Sequence, residues 1–192
     1  MLPRTYQIET ERCRLRHVSR DDFEHIFSAS RVAGFNDGML WEPPESVDEM
    51  EAPYRGNCEA WAAGSAYVFS IDTHDGTFIG RISIRACDED GVWDLGFWTH
   101  PDHQGQGYMT EAVTGILGFG FGHLEAQKIL ACYATWNTAS QRVMEKAGLT
   151  WLRHIPQGFM KRGAWVAEEE MVIHRSDWQK QIGSASTGTA SP

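Results

Sequence analysis

Residues 100–112 read HPDHQGQGYMTEA, two glycines one residue apart directly ahead of a helical pattern. A helix N-terminus presents unpaired backbone N–H groups and a partial positive charge. Glycines in front of it let the main chain close around an anion. Each amide aimed that way contributes a charge-assisted hydrogen bond of about 1.5–3 kcal/mol. A diphosphate is the natural guest. Taken alone, the stretch fits equally well a left-handed turn that only starts a helix. No G-x-x-x-x-G-K-[ST] run and no first-turn G-x-G-x-x-G occur, so neither a P-loop nor a dinucleotide fold is indicated.

The periodicity around this loop orders the rest of the chain. Residues 5–16 alternate and predict a strand. Ser19 reads as an N-cap for a helix whose Phe23, Ile26 and Phe27 share one face. Ser46 and Glu49 have capping-box spacing and predict a second helix over 47–63. Strands follow at 66–73, 77–86 and 92–99, joined by HDG and DEDG turns into an antiparallel meander. A helix is predicted over 108–123, although Gly115, Gly118, Gly120 and Gly122 each cost about 1 kcal/mol there. That cost is tolerable if the helix backbone lies close against a sheet or the helix ends early. KILACYAT (128–135) is a strand after a helix, as in a βαβ unit. Asn137 then caps a helix that Gly148 stops, and LTWLRHI and GAWVAEEEMVIH supply two last strands, seven in all. Residues 1–178 read as one domain, and 179–192, ending in GSASTGTASP, as a low-complexity, disordered tail.

Composition narrows the function classes. The chain has 192 residues and a formal charge of −9, which disfavours a nucleic-acid partner. An acidic protein attracts cations, and acidity also serves plain solubility. No apolar run approaches the roughly 18–20 residues of a membrane span. The first residues lack the apolar core of a signal peptide, so a cytoplasmic protein without membrane contact is expected. Cys13, Cys58, Cys87 and Cys132 are scattered without metal-ligand spacing, which predicts buried thiols and no metal site.

QGQGYM (104–109) resembles the acyl-CoA diphosphate motif Q/R-x-x-G-x-G/A of the GNAT acetyltransferase superfamily, with Met109 departing from the usual small residue. GQGYMTEA is similar to the Rim-type branch, the ribosomal-protein N-terminal acetyltransferases and their relatives. The likeness extends to IETERCRLRHVSRDDFEHIF, TFIGRISI, WDLGFW and NTASQRVMEKAGL, over residues 7–173. It implies an α+β fold with a seven-stranded mixed sheet, mainly antiparallel, helices on both faces, and strands 4 and 5 splayed. It also implies acetyl-CoA as cosubstrate. The backbone of Phe97, Trp98 and Thr99 would pair with the pantetheine arm, and Gln104, Gly105, Gln106, Gly107, Tyr108 and Met109 would cradle the diphosphate.

Acetyl transfer to an amine needs a neutral amine, stabilisation of charge on the carbonyl oxygen, and in some cases a proton for the leaving thiolate. Neutralising an α-amine of pKa about 7.7–8 costs on the order of 1 kcal/mol at pH 7; an alkyl amine near 10.4 costs on the order of 4–5 kcal/mol. Asp94, in WDLGFW, is the first candidate base, with a purely structural carboxylate as the alternative. Glu111 is a weaker candidate, because a helix's first turn favours an acid in any case. Many relatives place an acidic tyrosine seven residues after the motif asparagine; here that residue is Met144. The Rim-type pattern implies Ser140 instead, hydrogen-bonding the thioester sulfur, with Asn137 binding the pantetheine arm or the acceptor. The plain alternative makes Asn137 only a cap and Ser140 an ordinary helix residue. Tyr133 and Tyr108 are phenolic fallbacks.

On the acceptor side, Glu42, Glu45, Asp48, Glu49, Glu51 and Glu59 against one Arg55 suit a cationic acceptor or a solvated helix face, and Trp41, Trp98, Trp136 and Trp165 would wall a cleft or fill a core. The expected activity is acetyl-CoA-dependent N-acetylation of a protein N-terminus or a small-molecule amine, by direct attack in a ternary complex. The alternative is a non-catalytic acyl-CoA-binding sensor. A homodimer is compatible with either.

Overall fold

The computed structural model describes residues 2–187, with side chains described as far as residue 183. Its centre is an eight-stranded sheet in the order β1 (Gln7–Glu9), β2 (Cys13–His17), β3 (Ala66–Thr73), β4 (Phe78–Ala86), β5 (Val92–Thr99), β6 (Lys128–Ala134), β8 (Ala164–His174) and β7 (Thr150–Lys161). The extra strand over the expected seven comes from the N-terminus. The Thr10 N–H donates to the Cys13 carbonyl at 2.8 Å, and Thr10 Oγ1 accepts from the Cys13 N–H at 3.0 Å. This tight turn breaks the expected strand into β1 (Gln7–Glu9) and β2 (Cys13–His17), paired antiparallel. The turn carries no glycine or proline, so the alternation runs through it without a visible stop.

The meander is β3 (Ala66–Thr73), β4 (Phe78–Ala86) and β5 (Val92–Thr99), all antiparallel. Helices α1 (Phe23–Ser30) and α2 (Glu51–Ala63) lie between β2 and β3. At Ser19 the capping box closes with Asp22. At Ser46 it does not: Glu49 accepts from the Glu45 N–H instead, and a 3₁₀ turn over Val47–Met50 precedes α2. Helix α3 (Tyr108–Gly122) carries the chain from β5 to β6 (Lys128–Ala134), the one parallel pair in the sheet. Two of its glycines have a packing reason. A Cβ at Gly120 would lie 2.7 Å from Ile129 Cδ1 and 2.9 Å from Ile84 Cδ1, and one at Gly115 would lie 3.2 Å from Thr10 Cγ2. The helix backbone therefore rests directly on the sheet. Gly118 and Gly122 have no neighbour of this kind.

Helix α4 (Thr138–Lys146) ends in a Schellman motif, with Gly148 N–H on the Glu145 carbonyl and Leu149 N–H on that of Met144, both 3.0 Å. A long hairpin follows, β7 (Thr150–Lys161) and β8 (Ala164–His174). Helix α5 (Arg175–Thr187) then runs through part of the segment expected to be a disordered tail. Its start is anchored: Arg175 donates to the Ala126 and Phe121 carbonyls at 2.8 and 2.7 Å, and Trp178 stacks on Phe121. The rest of that expected tail, 188–192, lies outside the described residues. Among the described residues no helix is long and apolar enough to cross a membrane, and no cluster of His, Cys, Asp or Glu is placed to hold a metal ion.

The two faces of the sheet differ. Phe69, Ile71, Ile82, Ile84 and Leu95 share the α3 face and form the core with Val113, Ile116 and Leu117. The opposite face carries Arg16, Ser70, Asp72 and Arg81, gathered around Asp22. Asp22 is only 1% exposed; its carboxylate accepts from Arg16 Nη2 (2.7 Å), Ser70 Oγ (2.5 Å) and the Ser19 N–H (2.9 Å). Burial alone would push this carboxyl up, but those hydrogen bonds outweigh it and hold it below the usual carboxylate range.

Asp22→Asn would leave Arg16 and Arg81 without their shared buried counter-charge, and is expected to cost about 3 kcal/mol at pH 7. A lowered folded pKa stabilises fully above the unfolded value of 3.8, and that contribution vanishes as pH falls through the folded value. The gap between wild type and Asp22→Asn in urea unfolding should therefore narrow below pH 4. A constant gap would remove Asp22 from the acid limb.

Candidate active site

The geometry of the site begins where β5 and β6 separate. They pair only at Val92↔Lys128, Trp93↔Ile129 and Asp94↔Leu130. Beyond Asp94, β5 continues beside β4, and β6 beside β8, leaving a gap between them. A cavity of about 670 Å³ occupies it. Cys132 and Tyr133 are successive residues of β6, so they point to opposite faces, yet both line the cavity. The cavity therefore passes through the sheet. This explains why Cys132 is only half-buried where a buried thiol is expected; Cys87, outside the lining, is half-buried too, while Cys13 and Cys58 are buried. Burial, then Glu168, Glu170 and Asp94, pushes the Cys132 thiol up to about 12.

The glycine loop sits at the end of β5. The His100 N–H donates to the Ile79 carbonyl at 2.8 Å, a short 3₁₀ turn follows over Pro101–His103, and the chain reaches α3. Gly105 and Gly107 have φ of 75° and 84°, left-handed values that cost a side-chain-bearing residue roughly 1–2 kcal/mol. A Cβ on Gly105 would meet nothing within 4 Å, so the loop is open above it. Phe97, Trp98, Thr99, Gln104 and Gly105 all line the cavity, and so do Gly107, Tyr108 and Met109. Gln106 does not: its side-chain amide donates to the Asp102 carbonyl at 3.3 Å, and its own carbonyl faces Arg12. The Thr99 carbonyl accepts from the Gln104 side chain at 3.3 Å.

Asn137 and Ser140 stand on the opposite wall at the start of α4. Asn137 Oδ1 accepts from the Ser140 N–H at 3.2 Å, so Asn137 is a cap and a lining residue at once. Met144 also lines the cavity, and Tyr133 is buried beside it. Burial, with Glu169 and Glu145, pushes the Tyr133 phenol up.

Asp94 is not among the lining residues. Its position opposite Arg85 and beside Leu130 puts it on the face that carries Cys132, Glu168 and Glu170. Burial pushes the Asp94 carboxyl up; Arg85 opposes this and Glu170 adds to it. Glu168 is likewise pushed up by burial, then by Asp94 and Glu170. Glu170 itself pairs with Arg153 at 2.6 Å. Asp94 is a candidate from sequence; Glu168 and Glu170 are not, though their signal is plain: in the EEE run of β8, alternation sends Glu168 and Glu170 to one face and Glu169 to the other.

Several acids expected to face an acceptor are engaged elsewhere. Glu51 pairs with Arg20 and Arg55, and those hydrogen bonds lower its carboxyl to about 2. Glu42 pairs with Lys161 at 3.2 Å. Lys161 is buried and also donates to the Met39 and Trp41 carbonyls, at 3.0 and 2.9 Å. It thereby fixes the segment whose Phe35, Gly38 and Met39 line the cavity. Of the tryptophans, Trp98 and Trp136 line it, Trp41 packs behind Trp98 at 6.5 Å, and Trp165 is exposed and outside the lining. Glu111 does not line the cavity. It accepts from Thr10 Oγ1 (2.6 Å), the Arg12 N–H (2.6 Å) and Arg12 Nε (2.8 Å), which overcome its burial and lower its carboxyl.

Comparison with known proteins agrees with this geometry. The acetyltransferase (GNAT) domain model matches residues 12–150. The uncharacterized N-acetyltransferase YnaD of Bacillus subtilis is 28% identical over 100 residues, 52% of this chain and 59% of that relative, so the chain spans little more than half of its length. The spermidine N(1)-acetyltransferase of Vibrio cholerae is 23% identical over 164 residues, 85% of this chain and 94% of that one. Among solved structures, Mycobacterium smegmatis RimJ in complex with CoA-disulfide superposes with a TM-score of 0.79 at 20% identity, covering 95% of each chain, and shares the fold.

Because Asn137 caps α4, Asn137→Ala should lower stability by about 1 kcal/mol, whereas Asn137→Ser, which also caps, should stay within about 0.5 kcal/mol of wild type in urea unfolding. Equal losses would mean that the cap is not what Asn137 contributes.

Proposed function

The chain belongs to the GNAT acetyltransferase family, and from that membership we propose that it moves an acetyl group from acetyl-CoA to an amine by direct attack in a ternary complex. The observation that carries this reading is the cavity through the sheet, with the glycine loop on one wall and Asn137 and Ser140 on the other. Its volume of about 670 Å³ suits a ligand site, which typically spans about 300–1,000 Å³. The left-handed glycines and the open space above Gly105 fit a diphosphate. Backbone groups of Phe97, Trp98 and Thr99 would hold the pantetheine arm, and the amides from Gln104 to Met109 the diphosphate. Bound acetyl-CoA supplies an acyl group activated as a thioester.

The chain's own residues do the rest. The Ser140 hydroxyl, on the cavity wall, donates to the thioester sulfur. The Asn137 amide, held by its cap bond, orients the arm beside it. Asp94, outside the cavity lining but next to its Leu95, would take the proton of the incoming amine through a bridging water. Its raised carboxyl lies nearer an amine's pKa than an ordinary aspartate does, which reduces the uphill cost of that transfer. Glu168 adds negative charge on the same face and favours a cationic acceptor. Two acceptor classes fit: a protein α-amine, and an alkyl amine such as the spermidine in the name of the Vibrio cholerae relative.

Acetyl-CoA at 100 times its dissociation constant should raise unfolding stability by about 2.7 kcal/mol. Stabilisation by other phosphate ligands but not by acetyl-CoA would overturn the cofactor assignment. Thiol release over a panel of peptides, polyamines and aminoglycosides identifies the acceptor; silence across the panel would favour an acyl-CoA sensor.

Ser140→Ala should lower kcat by about 10-fold or more with CoA affinity nearly unchanged. A base must be ionised to act, so wild-type kcat/KM should fall as pH drops through a value above the ordinary aspartate range near 3.9. Asp94→Asn should remove that limb and lower kcat by about 100-fold; a retained limb would assign the proton to another group.

A further inference from the structure

We propose that Arg12, in the turn between β1 and β2, is a positioning residue for the diphosphate loop: its guanidinium holds the Gln106–Gly107 peptide so that the Gly107 N–H points into the cavity. The proposal rests on the cofactor reading above. Arg12 Nη1 donates to the Gln106 carbonyl at 3.1 Å. In a trans peptide the carbonyl and the N–H of one unit point in opposite directions. A Gln106 carbonyl turned toward Arg12 therefore turns the Gly107 N–H away from it, on the side where Gly107 lines the cavity.

The guanidinium is itself fixed. Nε donates to Glu111 Oε2 at 2.8 Å, and the Tyr108 ring lies 4.6 Å beneath its carbon. Glu111 is anchored in turn by Thr10 Oγ1 and the Arg12 N–H, both at 2.6 Å. The contact is close enough to restrict position 107 as well. A Cβ there would lie 3.3 Å from Arg12 Nη2, so the absence of a side chain admits the guanidinium as well as permitting φ of 84°. A Gly-x-Gly segment left to itself samples many peptide orientations. Clamping one of them before the ligand arrives removes an ordering cost from binding.

Wild type, Arg12→Ala and Arg12→Lys would be titrated calorimetrically with CoA and with pantetheine, which lacks the diphosphate. Arg12→Ala should weaken CoA by about tenfold, the equivalent of roughly one well-aimed amide, and leave pantetheine unchanged. Arg12→Lys should not restore CoA affinity, because one ammonium cannot reproduce the fork that spans Glu111 and Gln106. Equal CoA affinity in wild type and Arg12→Ala, equal losses for both ligands, or full rescue by lysine would each overturn the proposal. Failure of wild type to bind CoA would instead overturn the cofactor reading beneath it. If Arg12→Ala does not fold, Glu111→Gln, which unties the guanidinium, carries the same comparison.

Discussion

The parting of β5 and β6 after Asp94 is the constraint on which the rest of the site depends. A parallel pair needs a crossover, and here the crossover is α3. The helix must begin where β5 ends, so its N-terminus and the glycine loop fall at the mouth of the gap. Strand β6 then has to leave β5 and follow β8, which carries Ala134 opposite Glu168 and delivers α4 to the far wall. Backbone groups of β5 past the last shared pair face a space instead of a neighbouring strand. Peptide groups in such a place need partners, and an extended amide-bearing arm can offer them.

How far this was legible in the sequence varied with the kind of signal. Left-handed positions were legible: Gly105, Gly107 and Gly148 sit where the chain needs positive φ, and each could be placed from its neighbours. Asn137 as a cap was legible because an Asn just ahead of a helical run accepts from the backbone N–H three residues on, whatever residue carries it. The turn at Thr10 was not, because a threonine side chain closes it. The cap at Ser46 failed because Glu49 found a different N–H. Helix α5 was hidden by its polar composition; what secures it is long-range, an arginine on carbonyls some fifty residues away and a stacked tryptophan.

Charges were the least legible. The acids of 42–51 stood out in the sequence, yet Glu42 and Glu51 belong to ion pairs that hold the framework together. Asp94 and Glu168, which enter no ion pair among the described residues, come from strands separated by two helices and meet only through sheet register. Burial raises both carboxyls and Glu170 raises both further; Asp94 adds to the shift at Glu168, while Arg85 opposes the one at Asp94. A linear reading sees the number of charges along the chain; the energetics depend on which of them face each other across strands.

Lys161 has a mechanical consequence. The segment between α1 and α2 has little regular structure and would by itself be slack. Its Met39 and Trp41 carbonyls are tied to an ammonium near the tip of a hairpin that is hydrogen-bonded strand to strand, and Arg162 beside it reaches Asp37 at 3.1 Å. The slack segment thus borrows the stiffness of the sheet. Any swing of one carries the other, so the width of the cavity on that side is set by how the hairpin leans.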